Sequence, residues 1–516
     1  MPNNTSLAAK VLLIFGLAAL ASAPLAAAVQ LPALISDHMV LQRGVPIHIW
    51  GKAEPGEDVK VAFRGDSAAA RAAADGKWQV YLKPVEAGGP YEMKIEGRNA
   101  ITVNDILVGE VWVGSGQSNM EWPVERAVSA GQEIAAADYP EIRIFTVARK
   151  VAEQPVEDVE GSWQLCSPAT IGSFSAVEYF FARHLHKALR VPFGAIESSW
   201  GGTPAEAWTP RPRLDTDPAL RPLLGEWSNV LSDYAPAKSR YDRELADWQK
   251  LAERNKGSER ALPPRPREPR GPGHPHTPAG LYNGMIAPLA PFAIRGVIWY
   301  QGESNANRNH GYLYRHLFKA MILEWRSAWD IGPFPFLFVQ LANYARTGEN
   351  SEWPEVREAQ HLALDLRNTG EAVTIDIGES RDIHPKNKQD VGLRLALAAE
   401  KIAYGRDVVY SGPDYRQISI EGKDVRVWFD HAEQGLKTSD GLEPKGFAIA
   451  GSDHRFVPAQ ARIDGYTVVV SSPQVANPLA VRYAWGDDPA ATLYNTADLP
   501  ASPFRSDQWK DAAMPE

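Results

Sequence analysis

Between residues 29 and 104, apolar and polar positions alternate in short runs broken by Gly, Pro, Asp and Asn. Residues 46–51, 58–63, 77–82 and 91–95 follow a period of two. That pattern predicts the strands of a small all-β domain of sandwich type. From residue 105 the pattern changes. Apolar runs at 106–113, 193–198, 294–300, 336–341 and 372–377 alternate with helical periodicity at 176–189, 312–329, 354–366 and 388–403. Strand and helix in repeated alternation predict an α/β unit, a parallel sheet with helices on both faces. Past residue 405, short strands return at 418–420, 424–429 and 466–471, a second β-rich region.

Two stretches stand outside this pattern. Lys10, the apolar run 11–20 and the small residues 21–28 read as an export signal over residues 1–28, cleaved near Ala28 or else Ala23. The apolar part is too short for a permanent membrane helix, so the chain is expected in the periplasm or secreted. Residues 233–279 read as an insertion: a polar helix to about residue 260, then a Pro-rich stretch expected as an exposed, extended loop. His274 and His276 in that stretch are either metal ligands or solvated loop residues, and no third ligand is apparent. The expected division is therefore 29–104, 105–232, the insertion 233–279, 280–405 and 406–516.

Composition narrows the class. A 516-residue chain with 44% hydrophobic and 23% charged residues is globular and divides into several domains. A net charge of −9 and a pI near 5.8 argue against nucleic-acid and anionic-membrane partners. Cys166 is the single cysteine, so no intrachain disulfide forms, and it reads as a packed thiol. Sixteen Trp suit both cores and the faces of sugar rings.

The chemistry gathers after the strand-like runs, where parallel α/β sheets place their sites. Ser118, in Gly116-Gln-Ser-Asn-Met120, is either a nucleophile or a turn serine. A serine nucleophile requires a base, an orienter for the base and donors for an oxyanion. His384 with Asp382 supplies the first two, Asp376 being the alternative orienter. Gly201-Gly202 and the carboxamide of Gln301 are candidate oxyanion donors, with Asn305 as a substitute for Gln301. Met120 stands where the α/β-hydrolase elbow G-x-S-x-G has glycine, which excludes that fold.

Four blocks, Gly-Gln-Ser-Asn-Met (116–120), Trp-Gly-Gly-Thr-Pro-Ala-Glu-Ala-Trp (200–208), Trp-Tyr-Gln-Gly-Glu-Ser-Asn (299–305) and Asp-Ile-His-Pro (382–385), resemble the sialate O-acetylesterase family of SGNH hydrolases. The likeness runs from about Leu31 to the C-terminal β region. It implies a flavodoxin-like three-layer catalytic domain and a metal- and cofactor-independent carbohydrate O-acetylesterase. Ser118 would be the nucleophile, His384 the base and Asp382 its orienter. The oxyanion would meet the N–H groups of Ser118 and Gly202 and the side chain of Gln301. Gln117, Asn119, Trp122, Trp200, Glu303 and Asn305 would lie around the substrate, Glu303 as a hydrogen-bond acceptor rather than an acid. Trp208 and Trp299 either stack on sugar or pack in the core. The implied substrates are O-acetyl sialic acid or acetylated xylan, xyloglucan or mannan. No Arg is clearly placed to clamp a sialic carboxylate, which favours the plant glycans. A non-catalytic carbohydrate-binding protein and a lipase-like esterase are the alternatives.

Overall fold

The computed structural model describes residues 28–256, 262–308, 310–345 and 352–509. The export signal read over residues 1–28 lies almost wholly outside the described residues. Strands β1 (Val40–Gln42), β2 (Ile47–Lys52), β3 (Asp58–Phe63), β4 (Asp66–Arg71), β5 (Lys77–Leu82) and β6 (Gly88–Glu96) lead into a 17-residue strand, β7 (Ala100–Gly116). The first part of β7 pairs antiparallel with β6, and its last part runs parallel to strands of the central sheet. Asp105, with a φ of 52°, falls where the register with β6 shifts; pairing with β6 ends at Val108 and that with β10 begins at Glu110. Arg143 holds the Asp105 carboxylate at 2.6 and 3.1 Å, and His38 Nδ1 lies 2.6 Å from it. A boundary at 104/105 thus falls inside a continuous strand.

Strands β8 (Tyr139–Thr146), β9 (Trp163–Cys166), β10 (Phe193–Ser199), β11 (Gly296–Tyr300), β12 (Phe336–Val339) and β13 (Thr369–Ala372) complete the central sheet in the order β13-β12-β11-β7-β10-β8-β9. All these pairings are parallel except that of β8 with β9. The helices are α1 (Ser118–Glu121), α2 (Ala130–Ala135), α3 (Ala176–Leu189), α4 (Arg211–Thr216), α5 (Arg221–Arg254), α6 (Glu303–Ala306), α7 (Gly311–Trp329), α8 (Trp353–His361) and α9 (Lys388–Ile402). Because side chains alternate along a strand, each central strand feeds two cores. Trp112, Ile298 and Leu337 pack with Phe181 of α3 and Leu395 of α9. Val113, Val297 and Phe336 pack with Phe318 and Trp325 of α7. The C-terminal strands form sheets of their own around Val427, Ile449 and Tyr483, and among the described residues none pairs with β1 to β7.

Two elements differ from the pattern read along the chain. The apolar run 372–377 is not a strand: β13 ends at Ala372, and Val373 and Ile375 turn into the C-terminal core. The insertion helix is longer than its sequence suggested and begins at Arg221, with Pro236 inside it. A proline inside a helix removes one backbone hydrogen bond, and the helix continues through Pro236.

Helix α3 is capped by Ser175, whose Oγ accepts the Glu178 N–H at 3.2 Å. The Glu178 carboxyl is fully buried and its oxygens meet no hydrogen-bond partner among the described residues. Burial, together with the nearby Glu197, holds its pKa well above the usual carboxylate range. A raised folded-state pKa stabilises the fold below the ordinary carboxylate pKa, and that contribution is lost as pH rises. Glu178→Gln mimics the protonated form. It is expected to raise the thermal midpoint at pH 8 by about 2–4 °C, the shift that about 1 kcal/mol produces, and by much less at pH 5. Equal shifts at the two pH values would refute this account.

Candidate active site

The sheet register brings three of the sequence blocks together. Gly116 at the end of β7 is paired with Ser199 of β10 on one side and with Tyr300 of β11 on the other. The Gln117 N–H donates to Tyr300 O at 2.9 Å and the Trp200 N–H to Gly116 O at 3.1 Å. Gly116 has φ 140°, and a Cβ there would lie 2.1 Å from Tyr300 O, so glycine is required. The chain leaves β7 and enters α1 at Ser118, in the first turn, where backbone N–H groups have no intrahelical acceptor.

His384 arrives from the loop between β13 and α9, and its Nε2 lies 2.9 Å from Ser118 Oγ. Asp382 Oδ1 accepts the His384 backbone N–H at 2.9 Å and stands 3.6 Å from Nδ1, an ion-pair distance longer than a hydrogen bond. Trp122 stacks on the imidazole with ring centroids 5.1 Å apart and planes at 18°. Trp122 therefore backs the His384 ring. Burial holds the imidazole below its usual pKa, with Lys388 and Arg126 acting in the same sense and Asp382 opposing them. Asp376, the alternative orienter, is bound by Arg394 at 2.6 and 2.7 Å and by Tyr494 Oη at 2.9 Å, which ties α9 to the C-terminal region.

The turn after β10 lies against Ser118. A Cβ on Gly201 would be 3.3 Å from Ser118 Cβ, and the Gly201 N–H donates to Glu121 Oε2 at 2.6 Å. Gly202 has φ 75°, and among the described residues its N–H has no acceptor. The Gln301 side chain, by contrast, is fully buried, with Nε2 donating to Thr203 O (3.2 Å) and Asn305 Oδ1 (2.7 Å) and Oε1 accepting from Tyr314 (2.8 Å). Both its N–H groups are committed to the scaffold, so the expected oxyanion contact from Gln301 is not present. Asn305 cannot replace it, because it is buried and bonded to Gln301, Ala205 and Glu206. Gln117 Oε1 accepts the Ser304 N–H at 3.2 Å, and its Nε2 has no acceptor among the described residues.

Asn119 occupies the centre of a buried polar network. Its Oδ1 accepts from Lys388 Nζ at 2.6 Å, while Nδ2 donates to Glu303 Oε1 at 2.6 Å and to Ile383 O at 3.0 Å. Glu303 thus accepts a hydrogen bond. Burial raises its pKa and lowers that of Lys388 to about 7. Ile383 directly precedes His384, so the network fixes the loop carrying His384. Lys388 had no signal in sequence beyond opening a helix.

Ser118 and His384 open into a cleft of about 610 Å³, lined also by Trp122, Arg126, Arg149 and Glu197. Arg149 pairs with Glu121 and lies 5.6 Å over the Trp200 ring, whereas Arg126 is exposed and has no ion pair among the described residues. Trp208 and Trp299 are fully buried in the core. Cys166 is buried too, its thiol pushed up to about 12. His276 is not a solvated loop residue: its Nε2 meets Gly202 O at 2.8 Å.

Residues 275–402 match the family model for carbohydrate esterases described as sialic acid-specific acetylesterase. Over 91% of its length the chain is 32% identical to sialate O-acetylesterase of Rattus norvegicus, covering 93% of that protein. It is 31% identical to the Homo sapiens enzyme, with 91% of each chain covered. A carbohydrate acetylesterase from Xanthomonas citri of known structure is 40% identical and superposes with a TM-score of 0.81, over 93% of this chain and 100% of that one.

The charges around His384 set a testable pH dependence. A base must be neutral, so kcat/KM for 4-nitrophenyl acetate should rise with pH through a pKa below the usual imidazole value. Lys388→Met removes a cation that lowers this pKa and should move the acid limb to higher pH. Asp382→Asn removes the carboxylate that raises it and should move the limb to lower pH, with kcat reduced roughly a hundredfold or more. Limbs unmoved in both variants would exclude His384 as the group titrating.

Proposed function

The chain belongs to the sialate O-acetylesterase family and is a carboxylic ester hydrolase; from that premise we propose that it removes acetyl groups from sugar hydroxyls through an acetyl-enzyme on Ser118. The observation carrying this reading is the 2.9 Å contact between Ser118 Oγ and His384 Nε2 at the floor of an open cleft. Ser118 Oγ attacks the acetyl carbonyl as His384 Nε2 takes its proton, with Asp382 favouring the imidazolium. The oxyanion is received by the N–H groups of Ser118 and Gly202, with the unengaged Nε2 of Gln117 as third donor in place of Gln301. His384 returns the proton to the sugar oxygen, and water repeats the sequence to release acetate. The parallel sheet between α3 and α9 on one side and α7 on the other supports a flavodoxin-like three-layer catalytic unit. Residues 1–28 support export.

Arg126 bears on the substrate. A guanidinium without an ion pair, in the same cleft as Ser118 and His384, suits a sugar bearing a carboxylate, such as sialic acid. Acetylated xylan, xyloglucan and mannan form the second reading, supported by the 40% identical carbohydrate acetylesterase.

Acetate release from O-acetyl sialic acid and from the three acetylated polysaccharides separates these readings. Ser118→Ala should lower release at least about a thousandfold on every active substrate. Arg126→Ala should raise KM about tenfold, the equivalent of ~1.4 kcal/mol, for sialate alone. Undiminished release by Ser118→Ala would overturn the nucleophile. Greater activity on long acyl esters than on acetyl esters would point to a lipase-like enzyme.

A further inference from the structure

The Gly202 carbonyl receives hydrogen bonds from two sides. His276 Nε2 lies 2.8 Å away and Ser304 Oγ 3.2 Å away. A carbonyl oxygen only accepts, so His276 carries its proton on Nε2 and leaves Nδ1 bare. Nδ1 is buried without a partner. Burial, then the charges of Arg270, His274 and Arg308, push this imidazole down to about 3, so it stays neutral wherever the enzyme works.

Gly202 is exposed, has φ 75°, and among the described residues nothing beyond its own chain neighbours lies within 4 Å of where its Cβ would be. A glycine in open space is free to rotate unless hydrogen bonds hold it. In the peptide unit before the one carrying the Gly202 N–H, Glu121 holds the Gly201 N–H. The Gly202 N–H is therefore aimed by anchors before and after it. The His276 anchor is itself braced: the His276 N–H donates to His274 Nδ1 at 3.0 Å, the Thr277 N–H to His274 O at 2.8 Å, and the Ala279 N–H to Glu206 O at 2.9 Å.

We infer that His276 is a positioning residue of the reaction, holding Gly202 by its carbonyl so that the N–H of the same residue, in the preceding peptide unit, faces the acyl oxygen on Ser118. This rests on the reading of Gly202 as an oxyanion donor. The Pro-rich segment thereby becomes part of the catalytic apparatus, acting through one backbone carbonyl.

The test compares wild type, His276→Ala and His276→Gln, since the Gln carboxamide retains an N–H donor. Two quantities are read: kinetics on 4-nitrophenyl acetate, and inhibition by phenylboronic acid, whose tetrahedral serine adduct uses the oxyanion donors. A misaligned donor costs roughly ten- to a hundredfold in rate. His276→Ala should lose that much kcat with KM changed less than about threefold, and should weaken boronate binding by a similar factor. His276→Gln should recover most of both, with thermal midpoints alike in the two variants. An unchanged kcat, an effect on KM alone, or Gln no better than Ala would overturn the role of His276. A fall in kcat with undiminished boronate affinity would instead overturn Gly202 as the donor, and the inference with it.

Discussion

The backbones of Gly116 and Tyr300 lie so close that no side chain fits between them, and the site depends on that approach. With a Cβ 2.1 Å from Tyr300 O, the end of β7 would have to move away from β11. Such a shift would break the Gln117 N–H bond to Tyr300 O and the alignment of Gly116 with Ser199. Parallel strands have a fixed side-by-side register, so strand ends that are level deliver the residues after them to one place. Ser118, Gly201-Gly202 and Gln301-Gly302-Glu303 are neighbours for that reason, although the first and last are far apart in sequence. His384 and Asp382, both on the loop before α9, are outside this arrangement.

His384 is brought in by burying charge. Lys388, Asn119 and Glu303 form a chain whose ends are a cation and a carboxyl, both fully shielded from water. Removing such groups from water costs more than their attraction returns unless every polar atom is matched, and Glu303 Oε2 is not. Stability alone would favour apolar residues here. The arrangement makes sense as specificity of position: Asn119 must place its oxygen toward Lys388 and its nitrogen toward Glu303, and only that orientation leaves an N–H for Ile383 O. Because Asn119 follows Ser118 directly, Ser118 and the loop carrying His384 share one side chain as a common reference.

Much of this could be read in the chain itself, and the parts that could not have physical reasons. The central strands and α3, α7 and α9 were legible because buried parallel strands are continuous apolar runs and their covering helices are strongly periodic. Ser118 and His384 were legible because the chemistry demands those residue types after strand ends, and the structure places them 2.9 Å apart. The direction of an amide was not. Gln301 sits where a donor was wanted, yet Tyr314, Thr203 and Asn305, brought in from elsewhere in the fold, turn its carboxamide into the scaffold. His276 failed for a related reason: a Pro-rich stretch has no periodicity to report which residue folds back, so burial under Gly202 O left no trace. Residues 372–377 are apolar because they enter the C-terminal core, and hydrophobicity alone does not distinguish that from a longer β13.

The electrostatics of the base follow from the same construction. An imidazole beside a serine must be neutral to accept a proton and must then tolerate the charge it gains. Lys388 and Arg126 oppose that charge and Asp382 favours it. Asp382 is 42% exposed and 3.6 Å from Nδ1, so water weakens its share. The buried Lys388 is screened far less, but burial brings its own pKa to about 7, and its cation fades as pH rises through that value. The opposition to imidazolium is thus greatest in mildly acidic solution and relaxes as pH rises through about 7. One buried lysine therefore both fixes the loop that bears His384 and lowers the imidazole pKa in a way that itself depends on pH.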